Sequence, residues 1–388
     1  YKIKPWLTSY TTFNFSSSKY KEAALISYTD YFARMLSSPP TMRGVTPDGE
    51  PMLGRSATDG NPQKNTDSFV RDMNTDKFTI GQSFKLDLWR GFYLKASALV
   101  QYDEDYNETF NKDYLSGPGT WVRTRSSSAN TDRLKHQTYN IIANYDFTVA
   151  REHTVNSLVG FEFYDGYQKG FSASGSGAPT DDFMDLGLTT TEENMRSIDS
   201  WHVRQRIMSF MGRINYDYKE KYLASVTFRQ DGYSTLIDNR WGFFPGISAG
   251  WIFGKEGFMQ GLTDIVSFAK LRGSYGVNGN VSGVGAYELQ GSYGTVKYDG
   301  NVGYRLTQRP NPSLRWERSN TFEVGLDLGL LNNAINANFT YYNRTTVNKF
   351  ANIPLPGSSG ITSIRSNNGE LSNKGVEMEL GFKVLNND

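Results

Sequence analysis

The acidic, aromatic stretch YDEDYNETFNKDY at 102–114 carries Asp103, Asp105 and Glu108 at close spacing. Carboxylates grouped in this way are the natural ligands of a hard cation such as Ca²⁺. The stretch lacks the EF-hand spacing and its turn glycine, so a solvated acidic loop accounts for it better. TDDFMD at 180–185 makes a poorer case still. The three histidines, His136, His153 and His202, have no metal-ligand spacing to one another. Cysteine is absent, which excludes disulfides and thiolate metal sites. No Gly-x-Ser-x-Gly elbow precedes a helix. GNVSGVGAYELQGSYG at 279–294 is glycine-rich, but it does not follow a buried parallel strand, the context a phosphate cradle requires. A flexible external loop suits it better. No catalytic residue, metal ligand or cofactor is therefore expected. The chemistry that remains is stacking. Tyr106, Tyr114, Trp121 and Trp201 fall in expected external loops, where flat rings can lie on sugar faces or pack against peptide side chains. Packing of the loops on one another or on a lid protein accounts for these rings equally well.

The elements that position these rings read as strands. In TFEVGLDLGLLNNAINANFTYY (321–342), Phe322, Val324, Leu326, Leu328 and Leu330 alternate with Glu323, Gly325, Asp327 and Gly329. After Asn332 and Asn333, Ile335, Ala337, Phe339 and Tyr341 alternate with Asn336, Asn338, Thr340 and Tyr342. Period two on both sides of a tight turn predicts a hairpin. The same criteria predict twelve strands, at about 3–17, 75–88, 92–110, 134–148, 153–171, 202–218, 221–233, 241–253, 267–278, 314–330, 334–350 and 373–385. Connections after even-numbered strands are short, except that KEGFMQGLTDIVSF reads as a small helix. Those after odd-numbered strands are mostly long: 18–74, 111–133, 172–201, 279–313 and 351–372, with 234–240 the exception. Long and short connections in alternation are the mark of an up-and-down meander with its long loops at one pole, as in outer-membrane barrels. A Greek-key sandwich has no reason to place them so.

This pattern predicts an all-β fold: an antiparallel up-and-down transmembrane β-barrel, with these residues a section of about 12 strands of a larger barrel. Phe322, Val324, Leu326, Leu328, Leu330, Ile335 and Phe339 are expected to face the lipid bilayer. Glu323, Asp327, Asn336 and Asn338 are expected to face a wet lumen. Trp6, Trp89, Phe92, Phe147, Tyr218, Tyr222 and Phe253 near the short turns, and Tyr102, Tyr167, Tyr341 and Tyr342 near the long loops, fit two aromatic girdles. A net charge of +1 gives no electrostatic case for nucleic acid. No run of apolar residues is long enough for a transmembrane helix. The opening YKIKPWLTSY lacks an initiator Met and a signal sequence, and both ends start or stop in strand-like segments, so a piece of a longer chain is expected.

Four stretches carry a family resemblance. RQDGYSTLIDNRWGFFPGISAGW (229–251) resembles R-x-D-G-S-S-R-F-x-x-x-x-R-W-G-x-F-P-S-x-S-A-G-W, and LRGSYGVNGN (271–280) resembles L-R-x-S-Y-G-x-T-G-N. NPSLRWERSNTFEVGLDLGLLNN (311–333) resembles N-P-x-L-x-W-E followed by G-L-D-x-G-F-L-N. IPLPGSSGITSIRSNNGELSNKGVEMEL (353–380) resembles P-x-S-S-G-F followed by N-x-G-x-x-x-N-K-G-x-E. These are patterns of the SusC/RagA-type TonB-dependent transporters of Gram-negative Bacteroidetes, and PWLTSYTTFNFSSSK near the start is similar to that family as well. The resemblance implies a 22-stranded barrel with an N-terminal plug in the cell outer membrane. It implies uptake of oligomeric nutrients, glycans or oligopeptides, energised through TonB and capped by a SusD-like surface lipoprotein. Against that pattern, the plug domain, the TonB box and the final strands are absent here, so TonB would act through the missing N-terminal part. Tyr233, Ser234, Thr235 and Leu236 stand where the pattern has Ser-Ser-Arg-Phe. An outer-membrane barrel enzyme and a soluble adhesive β domain remain the alternatives.

Overall fold

The computed structural model describes residues 1–21, 41, 43–52, 61, 68–117, 120–192 and 195–383. Most of the 18–74 connection, and residues 384–385 of the last expected strand, lie outside these. The strands are β1 (Lys2–Lys4), β2 (Leu7–Lys21), β3 (Phe69–Trp89), β4 (Phe92–Asn111), β5 (Tyr114–Gly117), β6 (Thr120–Val122), β7 (Ser126–Val149), β8 (His153–Gly175) and β9 (Arg196–Tyr218). They continue with β10 (Tyr222–Tyr233), β11 (Trp241–Trp251), β12 (Val266–Asn280), β13 (Ser292–Tyr298), β14 (Asn301–Gln308), β15 (Glu317–Leu330), β16 (Ile335–Pro354) and β17 (Ser363–Phe382). Thirteen of them form one antiparallel sheet in the order β1-β2-β3-β4-β7-β8-β9-β10-β11-β12-β15-β16-β17. Each strand pairs with the next strand of the sheet in the sequence, as an up-and-down meander requires. The sheet is open, with β1 at one end and β17 at the other.

The tight connections between strands of the large sheet, at 90–91, 150–152, 219–221 and 331–334, all lie at one pole, because their flanking residues are the ends of the same registers. Val149–Glu152 and Tyr218–Lys221 close with Glu152 N–H donating to Val149 O (3.2 Å) and Lys221 N–H donating to Tyr218 O (3.0 Å). Both central residues have positive φ in each turn: Ala150 (52°) and Arg151 (60°), Lys219 (56°) and Glu220 (52°). That is the turn whose twist matches the flanking strands. At this pole the rings form a row: Trp89 stacks on Phe92 at 4.1 Å, Tyr145 lies 5.0 Å from Phe147, and His153 stacks on Tyr218 at 4.7 Å. Glu256 ties the row to the 252–265 connection by accepting from Tyr222 Oη (2.7 Å) and Trp251 Nε1 (3.2 Å).

Register carries one apolar face across the whole sheet. Leu86, Leu94, Ala143 and Val159 are successive partners from β3 to β8. Ile214, Val226, Ile247, Tyr275 and Phe322 follow one another from β9 to β15. Leu271, Leu326, Phe339 and Met378 close the series to β17. Among the described residues nothing covers them: Val159 is 63% exposed, Ile214 54%, Ile247 58% and Met378 56%. A sandwich would bury this face under a second sheet. Among the described residues, the main buried apolar cluster lies instead at the loop pole: Tyr233, Leu236, Phe244, Val277, Val284, Leu289, Leu314 and Trp316.

Four sequence expectations need correction. The strand expected at 3–17 is a hairpin, because Pro5 and Trp6 turn the chain between β1 and β2. The expected helix after β11 is a pair of 3₁₀ segments, Phe253–Lys255 and Gly257–Leu262, in a stretch where Gly254, Gly257 and Gly261 weaken an α-helix. Strands β3, β7, β8, β9 and β17 run further toward the loop pole than expected. Two small hairpins, β5–β6 and β13–β14, stand within the long connections.

Candidate functional site

The face opposite the apolar one is polar. Arg229 on β10 donates through Nη2 to Glu162 (3.2 Å) on β8 and Ser209 (2.9 Å) on β9, and through Nε to Asp231 (2.8 Å). Arg272 on β12 reaches Asp327 (3.2 Å) on β15 and the Thr340 hydroxyl (2.6 Å) on β16. Side chains on alternate residues point to opposite faces. Glu323, Asp327, Asn336 and Asn338 therefore share the face of Arg272. Phe322, Val324, Leu326, Leu328, Leu330, Ile335 and Phe339 share the other. The same parity separates neighbours that had been grouped: Tyr341 lies on the apolar face and Tyr342 on the polar one.

At the loop pole the four family-like stretches meet. Asp238 N–H donates to Pro312 O (3.2 Å), Asn239 Nδ2 to Ser313 O (2.8 Å) and Trp316 Nε1 to Arg240 O (2.9 Å). Glu317 accepts from Asn280 Nδ2 (2.7 Å) and from Phe350 N–H (2.7 Å). Asn367 exchanges two hydrogen bonds with the Arg315 backbone, and Arg365 pairs with Glu288 (3.3 Å). The Phe244 and Trp316 rings cross edge-on at 5.2 Å in the centre. The pairing of β11 with β12 stops at Gly246 and Gly276, next to Pro245, which has no N–H for a ladder. The motif residues thus build a wall of loops. The positions that depart from the family pattern lie within it: Tyr233, Thr235 and Leu236 are buried.

The structure separates the four candidate rings. Trp201 lies within β9, not in a loop, and on the polar face. Its indole covers Gly170 of β8 beside Asp132 of β7, and a Cβ at 170 would run into the ring. Tyr106 lies within β4, and its parity matches Phe92 and Leu94, so it points away from the polar face. Tyr114 packs on Phe69 at 5.0 Å. Trp121 is exposed, with the Arg123 guanidinium 5.3 Å from its ring. The acidic cation set is also split. Asp103 and Asp105 lie on the polar face, where Gln101 and Thr75 donate to them, and Glu108 lies on the opposite face with Tyr106. No group of three or more His, Asp or Glu able to hold a metal occurs among the described residues. His136, His153 and His202 occupy different levels of the sheet, each beside a tyrosine: Tyr164, Tyr216 and Tyr287.

Two long loops are latched by Arg125, which pairs with Asp113 (2.8 Å) and Asp181 (2.8 Å). The Arg125 hydrogen bond holds the Asp181 carboxyl below the usual carboxylate range; partial burial opposes it, and the Asp113 N–H adds to it. A lowered native value stabilises the latch above the unfolded pKa of about 3.9, and that stability is lost as pH falls through the native value. Amide protection at 112–117, 120–125 and 176–192, taken relative to the intrinsic exchange rate at each pH, is therefore expected to fall below about pH 4. Asp181→Asn should flatten that dependence. The effect is small, since Asp181 is 39% exposed.

The chain matches the family model described as TonB dependent receptor-like, beta-barrel, over residues 7–387. It is 28% identical to TonB-dependent receptor P39 of Formosa agariphila over 87% of this chain and 31% of that protein. It is 26% identical to TonB-dependent receptor SusC of Bacteroides thetaiotaomicron over 84% of this chain and 32% of that protein. Its fold superposes on the RagAB peptide transporter structure with a TM-score of 0.85 at 22% identity, covering 100% of this chain and 44% of that one. The chain spans about a third of the length of these curated relatives.

Proposed function

Because this chain belongs to the TonB-dependent receptor-like β-barrel family of the outer membrane, we propose that it forms part of the wall of an importer of oligomeric nutrients. The observation that carries this reading is the pair of faces: an uncovered apolar face running unbroken across the sheet, backed by a polar face of ion pairs. In hydrocarbon such a sheet must close on itself, because each unpaired edge group costs several kcal/mol. The polar face then lines a wet interior, and Phe322, Val324, Leu326, Leu328, Leu330, Ile335 and Phe339 meet lipid. The likeness to SusC and to the RagAB peptide transporter supports glycan or peptide cargo, a SusD-like lid over the loop pole and energy delivered through TonB. Trp201, broad and facing inward over Gly170, is the ring best placed to touch passing cargo.

The test is purification of the full-length protein from its outer membrane, with mass spectrometry of what accompanies it. Co-purified oligopeptide or oligosaccharide, with a lipoprotein partner, is the expected result. Trp201→Ala should lower uptake of that cargo several-fold at unchanged barrel levels, because it removes a stacking surface and uncovers Gly170 while the backbone ladder of β9 with β8 remains. A barrel that carries no cargo, and whose loss leaves growth on oligomers unchanged, would overturn the proposal.

A further inference from the structure

Just above the apolar band, the outward face of β7, β8 and β9 changes character. Register makes a grid there: Gln137, Asp165 and Arg206 in one row, Lys135, Tyr167 and Arg204 in the next, Arg133, Lys169 and His202 in the third. Five of these nine residues are cations, and all five are exposed. The acids are already engaged. Asp165 is buried between Arg204 (2.6 Å) and Arg206 (3.4 Å), and Glu104 of β4 accepts from Arg133 (2.9 Å). Lys135 and Lys169 have no acidic partner among the described residues. The charge is local, because β4 presents Glu104 and Glu108 at comparable height.

A groove of ≈ 300 Å³ opens on the same outward face, nearer the turn pole. Its floor is Ala96 and Ala98 of β4; its walls are Phe84, Tyr139, Ile141 and Phe161. Tyr139 and Lys135 share β7, four residues and so roughly 13 Å apart along the strand. An apolar slot thus lies below unpaired ammonium groups on a face that meets lipid.

We propose that this surface is a specific site for an acylated, phosphorylated lipid of the outer leaflet. One chain lies over Ala96 and Ala98, and the headgroup phosphate sits against Lys135 and Lys169. The outer-membrane reading is its premise, and continuity with the lipid-facing band is what selects a lipid over a soluble anion or a protein. A cation near an anionic lipid surface contributes enough for about a fivefold change in affinity, so removing both lysines should weaken binding about 25-fold.

The test uses the full-length barrel in phosphatidylcholine nanodiscs with lipid A or with dephosphorylated lipid A, read as phosphorylated lipid retained per barrel by native mass spectrometry. Wild type should retain lipid A and not its dephosphorylated form, and inorganic phosphate should not displace it. Lys135→Gln with Lys169→Gln should lose the phosphate preference. Ala98→Phe, which fills the slot and leaves the charges, should lose the lipid as well. Equal retention by all variants overturns the site, as does displacement by inorganic phosphate. So does loss of a protein partner in the lysine variant with lipid retention unchanged. If instead the barrel fails to reach the outer membrane at all, the premise fails and not merely the site.

Discussion

Phe339→Arg should destabilise the membrane-embedded barrel by about 2–4 kcal/mol, the cost of an arginine on the lipid face near the bilayer midplane. Asn338→Arg, one residue away on the same strand, should be tolerated. Phe339 pairs with Leu326 and Met378 on the apolar face, near the middle of the span from Ile335 to Tyr341. Asn338 pairs with Asp327 and Glu379 on the polar face, where a new guanidinium finds two carboxylates. The pair of variants removes ambiguity about charge, since both add the same one. Heat-resistant folded barrel in outer-membrane fractions is the measurement. Equal accumulation of the two variants, or loss of Asn338→Arg alone, would contradict the assignment of faces.

Trp316→Ala should cost about 3–5 kcal/mol of local stability, as for other large buried aromatics. Trp316 is 8% exposed, lies against Phe244 and Tyr233, and donates its indole N–H to Arg240 O. Its removal opens the centre of the loop wall and releases three segments together, 234–240, 281–291 and 311–316. The membrane span below has its own ladder and should stay intact. Faster amide exchange in those segments, with unchanged protection in β15 and β16, is the expected pattern. Trp316→Phe should keep the ring contact and lose only the hydrogen bond, about 1 kcal/mol. If Trp316→Ala leaves exchange in all three segments at wild-type rates, the wall does not depend on this cluster.

Where the sheet has one apolar and one polar face the sequence is easy to read, because two unlike surroundings impose strict alternation. Phe322 to Leu330 and Ile335 to Tyr341 show it, and their turn at Asn332 and Asn333 falls where expected. Nearer the loop pole both faces of a strand carry polar residues, so alternation fades while the backbone ladder continues. Ser126–Arg133 and Ser172–Gly175 look like loop for that reason, yet they pair in full register. Trp201 reads as loop by the same loss of signal, since the strand expected there starts at 202; Tyr106 falls inside the strand expected at 92–110, but the acidic run around it reads as loop and its parity goes unused. The loop wall was invisible for another reason. Its partners, such as Arg240 with Trp316 and Glu288 with Arg365, are far apart in the chain, and no local pattern links them. The motifs marked the family; their packing role is a matter of three dimensions.

Ala150 with Arg151, and Lys219 with Glu220, hold left-handed backbone angles with no glycine between them. Residues that carry a Cβ adopt that conformation at a cost. The long ladders on either side therefore hold these two hairpins shut, and the chain reversals follow from strand pairing rather than start it.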